Sequence, residues 1–157
     1  MQPQLESTHA IETSLRATHE PWFHHVVRLY PHQTDYSGIA WHGTYIAWME
    51  EARVEYLRSL GVNYSDLVNL GYEMPVVELN IRYHRSVQMG AEAIVKTRLS
   101  SLQGVRMNWE YRIESADEQE LYVTAQVTLV TVDLDKKKIV RQLPAQVQDV
   151  LQRLRGQ

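Results

Sequence analysis

The sequence of 157 residues contains no cysteine. This absence excludes disulfide bonds, thiolate metal sites and a cysteine nucleophile, and it fits a reducing compartment. No apolar run approaches the roughly 18 residues that a membrane-spanning helix needs. The first residues also lack the basic and apolar regions of a secretory signal. We therefore expect a soluble, cytoplasmic protein without an integral membrane segment.

The sequence also lacks a strong excess of charge, since its formal net charge is -3 at pH 7. Nothing in this balance favours binding to nucleic acid, and a ligand with phosphates would need a local cluster of Arg and Lys. We find no phosphate-binding glycine loop, no Gly-x-Ser-x-Gly turn and no zinc-protease motif. The seven histidines show no metal-ligand spacing. The expectation is a protein with no metal and no cofactor.

Alternation of apolar and polar residues dominates the sequence after residue 76. It is typical of antiparallel strands with one buried face. The predicted strands cover residues 24–30, 77–84, 92–99, 105–114, 121–129 and 138–141.

Apolar residues at three- and four-residue steps predict a long helix over residues 43–60, ended by Gly61. Weaker patterns predict helices over 65–70 and 147–154. Only one long helix is available to cover the apolar face of the sheet, so we expect the sheet to wrap around it. Residues 1–21 are polar and are predicted to form a flexible N-terminal arm, and residues 22–157 to form one domain.

Asp35 precedes the predicted long helix, in a loop that also contains Gly38. This spacing is ordinary turn chemistry. A second interpretation is a site for acyl transfer, because unpaired N–H groups at a helix start can stabilise negative charge on a carbonyl oxygen. A carboxylate beside them can attack that carbonyl or activate a water molecule. The residues alone leave both interpretations open.

The segment TDYSGIAWHGTYIAWMEEAR, residues 34–53, resembles the signature of the 4-hydroxybenzoyl-CoA thioesterase family, which includes thioesterases associated with the Tol-Pal system. The resemblance extends over about residues 24–143. It implies the α+β hotdog fold, an antiparallel sheet of five or six strands wrapped around one long central helix. It also implies a homodimer or homotetramer, with the active site at the interface between subunits. The matching positions are Asp35, Gly38, His42, Tyr45, Glu51, Ala52 and Arg53.

The resemblance implies that Asp35 is the nucleophile or general base. The backbone N–H of His42, with Gly43 beside it, would polarise the thioester carbonyl, and the His42 side chain either orients substrate or water or caps the helix. Glu51 and Arg53 are expected in ion pairs. The candidate substrate-binding residues are Gly38, Trp41, Tyr45, Arg82 and Arg106, of which Tyr45 also fits a core position.

The sequence departs from the family pattern at two places. Residues 85–87, Arg-Ser-Val, lack the common proline, and residues 90–92, Gly-Ala-Glu, lack the aspartate of the family's Gly-Asp pair. The resemblance nevertheless implies hydrolysis of an acyl-CoA to a free carboxylic acid and coenzyme A. The aromatic residues near Asp35 favour an aryl acid such as hydroxybenzoate or dihydroxynaphthoate. The alternatives are an acyl carrier protein thioesterase and a non-catalytic module that binds acyl-CoA.

Overall fold

The computed structural model describes residues 21–156, so all of the predicted N-terminal arm except Pro21 lies outside the described residues. No helix in this range has the length and apolar character required to cross a bilayer. The strands are β1 (Phe23–Arg28), β2 (Tyr72–Glu73), β3 (Val76–Tyr83), β4 (Glu92–Gln103), β5 (Arg106–Ser115), β6 (Leu121–Leu129), β7 (Val132–Asp133) and β8 (Lys138–Ile139). The helices are α1 (His42–Ser59), α2 (Tyr64–Asn69) and α3 (Ala145–Arg155), with a 3-10 turn at Pro31–Gln33.

Five strands form an antiparallel sheet in the order β1-β4-β5-β6-β3. The central strand β5 shows why the alternation predicts it well, since from Arg106 to Ile113 every second residue is buried and its neighbours are more exposed. Because successive side chains of a strand point to opposite faces, one face of β5 supplies the core. The buried residues of this face are Met107, Trp109, Tyr111 and Ile113.

Helix α1 lies against the buried face of this sheet. Its side chain Tyr56 contacts Phe23 of β1 in a stacked arrangement, with ring centroids 4.7 Å apart, and Trp109 of β5 edge-on at 6.3 Å. Trp48 and Met49 are also almost fully buried. The predicted arrangement, an antiparallel sheet around one long helix, is confirmed.

Arg53 is the exception on this helix, because a charged residue lies in the core with only 3% of its surface exposed. Its guanidinium donates hydrogen bonds to the Tyr64 hydroxyl at 3.1 Å and to the Tyr111 hydroxyl at 2.8 Å. Burial works against the charge of Arg53, but these two phenols raise its pKa above the ordinary value. Arg53 also forms the expected ion pair, with Glu50 at 3.9 Å, but its two shorter contacts are the tyrosine hydroxyls.

A small second sheet, in the order β2-β7-β8, was not predicted. Its strand β2 has only two residues, which is too short for an alternating pattern to be recognised. The predicted last strand over 138–141 is reduced to Lys138–Ile139 and pairs with β7 instead of extending the main sheet.

Strand β3 is an edge of the main sheet and pairs only with β6 among the described strands. The alternation of this strand predicted one buried face, and this prediction is wrong within the single chain. Val76 and Val77 are each 46% exposed and Leu79 is 38% exposed, and only Ile81 is partly covered. An edge strand has a neighbour on one side only, so its apolar side chains are less covered by adjacent strands.

Candidate active site

Asp35 lies in a tight turn that fixes its carboxylate. The Gly38 N–H donates to the Asp35 carbonyl at 3.1 Å, and Gly38 has a positive φ of 74°, which glycine adopts without strain. The Ser37 N–H donates to Oδ1 of Asp35 at 2.8 Å. One carboxylate oxygen is thus held by the backbone, which leaves the other available to a substrate or a water molecule.

The turn is anchored to the segment that follows β3. The Ala40 N–H donates to the Val87 carbonyl at 2.9 Å, and the Met89 N–H donates to the Gly38 carbonyl at 3.0 Å. Val87 is completely buried. The absent proline and aspartate of the family pattern therefore do not prevent this segment from supporting the Asp35 turn.

Helix α1 begins at His42, directly after the turn, with Trp41 as its N-cap residue. The Trp41 side chain gives no capping hydrogen bond, and the Thr44 N–H is already bonded to the Trp41 carbonyl at 2.8 Å. Within residues 21–156 no acceptor is found for the N–H groups of His42 and Gly43. These two groups are the free donors that the first turn of a helix leaves for a ligand.

Gly43 is required by the position of the Trp41 ring. A Cβ built on Gly43 would overlap the six-membered ring of Trp41, which lies across the first turn of the helix. Trp41 also contacts the His42 ring, with centroids 4.7 Å apart, and remains 53% exposed. The absence of a side chain at Gly43 thus lets an indole ring cover the start of the helix.

A cavity of about 280 Å³ joins these features. It brings together three of the residues singled out in the sequence, Asp35, His42 and Tyr45. Gly38 and Trp41 shape the turn and the helix start beside it. The full lining consists of Asp35, Ile39, Ala40, His42, Tyr45, Tyr83, His84, Arg85 and Ser86.

One wall of the cavity, from Tyr83 to Ser86, was not predicted as part of the site. Tyr83 donates a hydrogen bond from its hydroxyl to the His42 carbonyl at 2.9 Å, which joins the end of β3 to the first turn of α1. Arg85, which also lines the cavity, is paired with Glu120 at 3.1 Å. These residues lie about fifty positions after Asp35, and no local pattern connects the two segments. The sequence signal that could have pointed to them is their place directly after a strand.

Arg82 and Arg106 are not brought to the cavity. Arg82 lies between Ile81 and Tyr83 on β3, so its side chain points to the opposite face of the sheet. There it lines a larger depression of about 480 Å³, which does not include Asp35. Arg106 is paired with Glu78 at 2.9 Å at the far end of the sheet.

The electrostatics of the cavity favour neutral phenols beside a carboxylate. Burial raises the pKa of Tyr45, and the nearby charge of Asp35 adds to the same effect. Burial also raises the pKa of Tyr83. Across residues 21–156 no group of three or more metal-binding side chains was found. The cavity can offer the Asp35 carboxylate and the protonated phenol of Tyr45 to a ligand, and the two free N–H groups lie at the helix start beside it.

Comparison with known proteins classifies this chain among the thioesterases. The model of the thioesterase-like superfamily matches residues 29–154. A putative esterase of Synechocystis is 45% identical over 98% of this chain and 93% of its own length. A putative acyl-CoA thioesterase of Bacillus subtilis is 32% identical over 69% of this chain and 78% of its own length.

A solved structure, a DHNA-CoA thioesterase from Staphylococcus aureus, superimposes with a TM-score of 0.77 and 26% identity. The match covers 86% of this chain and 91% of the other. With the fold and the family model in agreement over most of the chain, the protein belongs to the thioesterase-like superfamily.

Proposed function

We propose that this protein hydrolyses an acyl-CoA thioester to a carboxylic acid and coenzyme A. The observation that carries the proposal is the single cavity lined by the Asp35 carboxylate and the start of helix α1. The B. subtilis relative, a putative acyl-CoA thioesterase, supports the same reaction. Within the superfamily we assign the chain to the 4-hydroxybenzoyl-CoA thioesterase type, on the Asp35 to Arg53 signature.

The reaction needs one group to polarise the thioester and one to deliver oxygen to it. The free N–H groups of His42 and Gly43 would bind the carbonyl oxygen, where the positive end of the helix dipole stabilises the developing negative charge. Asp35 then either attacks the carbonyl carbon or takes a proton from the attacking water. In both routes the bond between carbon and sulfur breaks, and the thiolate of coenzyme A leaves and is protonated.

We propose an aryl acid, such as hydroxybenzoate or dihydroxynaphthoate, as the acyl group. Trp41 and Tyr36 are exposed beside Asp35, and Tyr83 forms a wall of its cavity. Aromatic side chains in such positions favour stacking with a flat acyl group. The S. aureus protein, a DHNA-CoA thioesterase, agrees with this choice.

The test is a panel of aryl, short-chain and long-chain acyl-CoA substrates, with release of free thiol followed for each. We expect hydrolysis, with kcat/KM at least about tenfold higher for the best aryl substrate, the size of effect that one good apolar contact gives. A panel that includes the same acyl groups on acyl carrier protein separates the alternative carrier. Absence of hydrolysis with measurable binding would instead indicate a non-catalytic module.

We further propose a homodimer, or a tetramer built from two such dimers, formed through the edge strand β3. The exposed apolar residues of this strand, Val76, Val77 and Leu79, provide the surface. Tyr83, at the end of the same strand, lines the Asp35 cavity, so a partner on β3 would also complete the site. With no cysteine in the sequence, a reducing cytoplasm is the proposed location.

Sedimentation tests the dimer with a pair of matched variants. Leu79→Lys puts a charge on the exposed apolar face of β3 and should give a monomer at micromolar concentration, because edge charges oppose strand pairing. Val26→Lys is the control, since Val26 is 57% exposed on β1, the opposite edge of the sheet. It should sediment as the wild type does. A wild-type protein that is monomeric and fully active would contradict the proposal.

A further inference from the structure

Tyr45 lines the Asp35 cavity, three residues after the start of helix α1. Only 3% of its surface is exposed. Its ring is fixed by contacts with Trp48, edge-on at 5.8 Å, and with Tyr83 at 5.5 Å between centroids. A phenol held in this way keeps its oxygen in one place relative to the cavity.

The hydrogen bonds of Tyr45 leave its proton without an acceptor. Its oxygen accepts the Val87 N–H at 3.1 Å, and Val87 is fully buried, so this bond satisfies a backbone group that has no access to water. A phenol also has one O–H to donate. Among residues 21–156 no acceptor is found for the O–H of Tyr45. The hydroxyl of Tyr83, in the same cavity, instead donates its hydrogen bond to the His42 carbonyl.

The neighbouring carboxylate determines what the Tyr45 hydroxyl can do. Because burial raises its pKa, Tyr45 keeps its proton well above neutral pH and cannot act as the base. One oxygen of Asp35 is already held by the Ser37 N–H. The cavity thus presents one free carboxylate oxygen, which accepts a proton, and one free phenol proton, which can be donated.

On the basis of the thioester hydrolysis proposed above, we propose that Tyr45 is a further catalytic residue, which donates a hydrogen bond to the attacking water molecule. The water gives one proton to Asp35, its oxygen forms the new bond to the carbonyl carbon, and the thiolate of coenzyme A leaves with the electrons of the carbon–sulfur bond. The thiolate then receives the proton held by Asp35. Tyr45 keeps its own proton throughout and fixes the water in line with the carbonyl carbon.

Tyr45→Phe is the first test, because it removes the hydroxyl and keeps the ring. We expect kcat to fall about ten- to a hundredfold with KM changed less than about threefold, the pattern of an interaction that acts on the reaction and not on substrate binding. Phe also leaves the Val87 N–H unpaired, so Tm is measured alongside. The control is Tyr122→Phe, which changes a buried tyrosine outside the cavity lining and should keep wild-type kcat.

Replacement of Tyr45 by 3,5-difluorotyrosine is the second test, and it covers a Phe variant that does not fold. This analogue keeps the hydroxyl oxygen that accepts the Val87 N–H, and its two fluorines lower the pKa of the phenol. We expect kcat of the fluorinated enzyme to fall as the pH rises through the ionisation of this phenol. The pH profile of the wild type should not show this fall. A structural role alone would not produce it.

The outcomes separate this inference from the proposed function. If the fluorinated enzyme keeps the wild-type pH profile, or folded Tyr45→Phe keeps kcat within about twofold while Asp35→Asn is inactive, the role of Tyr45 is overturned and the hydrolase remains. If wild-type protein hydrolyses no thioester, the proposed function fails first, and the role of Tyr45 fails with it.

Discussion

Asp35→Asn should fold as the wild type does and lose about three or more orders of magnitude in kcat, the combined size expected for a nucleophile or general base. The amide is almost the same size as the carboxylate, and its oxygen can still accept the Ser37 N–H that now binds Oδ1. An amide can neither attack a thioester nor accept a proton from water. The measurement is kcat on the best acyl-CoA, with Tm and sedimentation to establish that the fold and assembly are intact.

A matched variant separates loss of the Asp35 carboxylate from a general effect of removing charge. Asp135 lies in the exposed turn between β7 and β8, away from the cavity, so Asp135→Asn should retain wild-type kcat. A folded Asp35→Asn variant with turnover near that of the wild type would remove Asp35 from the mechanism. Another group would then have to attack the thioester or activate the water.

The sequence predicts the central elements of this fold because their environment is simple. Strand β5 has a neighbour on each side and one buried face, so its alternation matches its burial from Arg106 to Ile113, and the ion-paired Glu114 is the exception. Helix α1 was predicted over 43–60 and is found at His42–Ser59, since its apolar spacing reflects its contact with one sheet. The pattern works where one face of an element is buried within the chain.

The same patterns fail where burial depends on distant or additional partners. The alternation of β3 is as clear as that of β5, yet β3 is an edge strand and its apolar residues stay exposed in the single chain. Arg53 has the residue type of a surface position, but Tyr64 and Tyr111 supply acceptors that make its burial tolerable. Neither outcome is encoded in local spacing.

One part of the candidate site could be predicted from the sequence and the other part could not. Asp35 and His42 were predicted through the resemblance to the family signature, which lies in one continuous segment, and the turn directly before α1 places both residues at the helix start. The opposite wall, formed by Tyr83 and the residues after it, is brought there by the pairing of β3 with β6 and by the bond from Tyr83 to the His42 carbonyl. Such a wall follows from the assembled sheet and cannot be recognised in the sequence alone.

The start of helix α1 should act through its backbone more than through the imidazole of His42. A fixed N–H is already aimed at the carbonyl oxygen and needs no protonation, so it can stabilise the developing charge at any working pH. We therefore expect His42→Ala to lower kcat by about tenfold or less, within the usual contribution of one non-essential polar contact. Gly43→Pro should lower it by at least about a hundredfold, because it removes one of the two free N–H groups, a loss comparable to that of one oxyanion donor.

Gly43→Pro would also press against the Trp41 ring, so a second pair of variants isolates the N–H group. Gly43→Ala keeps the N–H but places a Cβ where the Trp41 ring lies, and it should lose activity through displacement of that ring or of the helix start. Combining Gly43→Ala with Trp41→Ala removes the overlap, and its kcat should return to that of Trp41→Ala alone. Combining Gly43→Pro with Trp41→Ala should stay inactive, because the N–H is still absent. If His42→Ala proved as inactive as Asp35→Asn while folded, the imidazole would be an acid–base catalyst, and activation of water would gain over direct attack by Asp35.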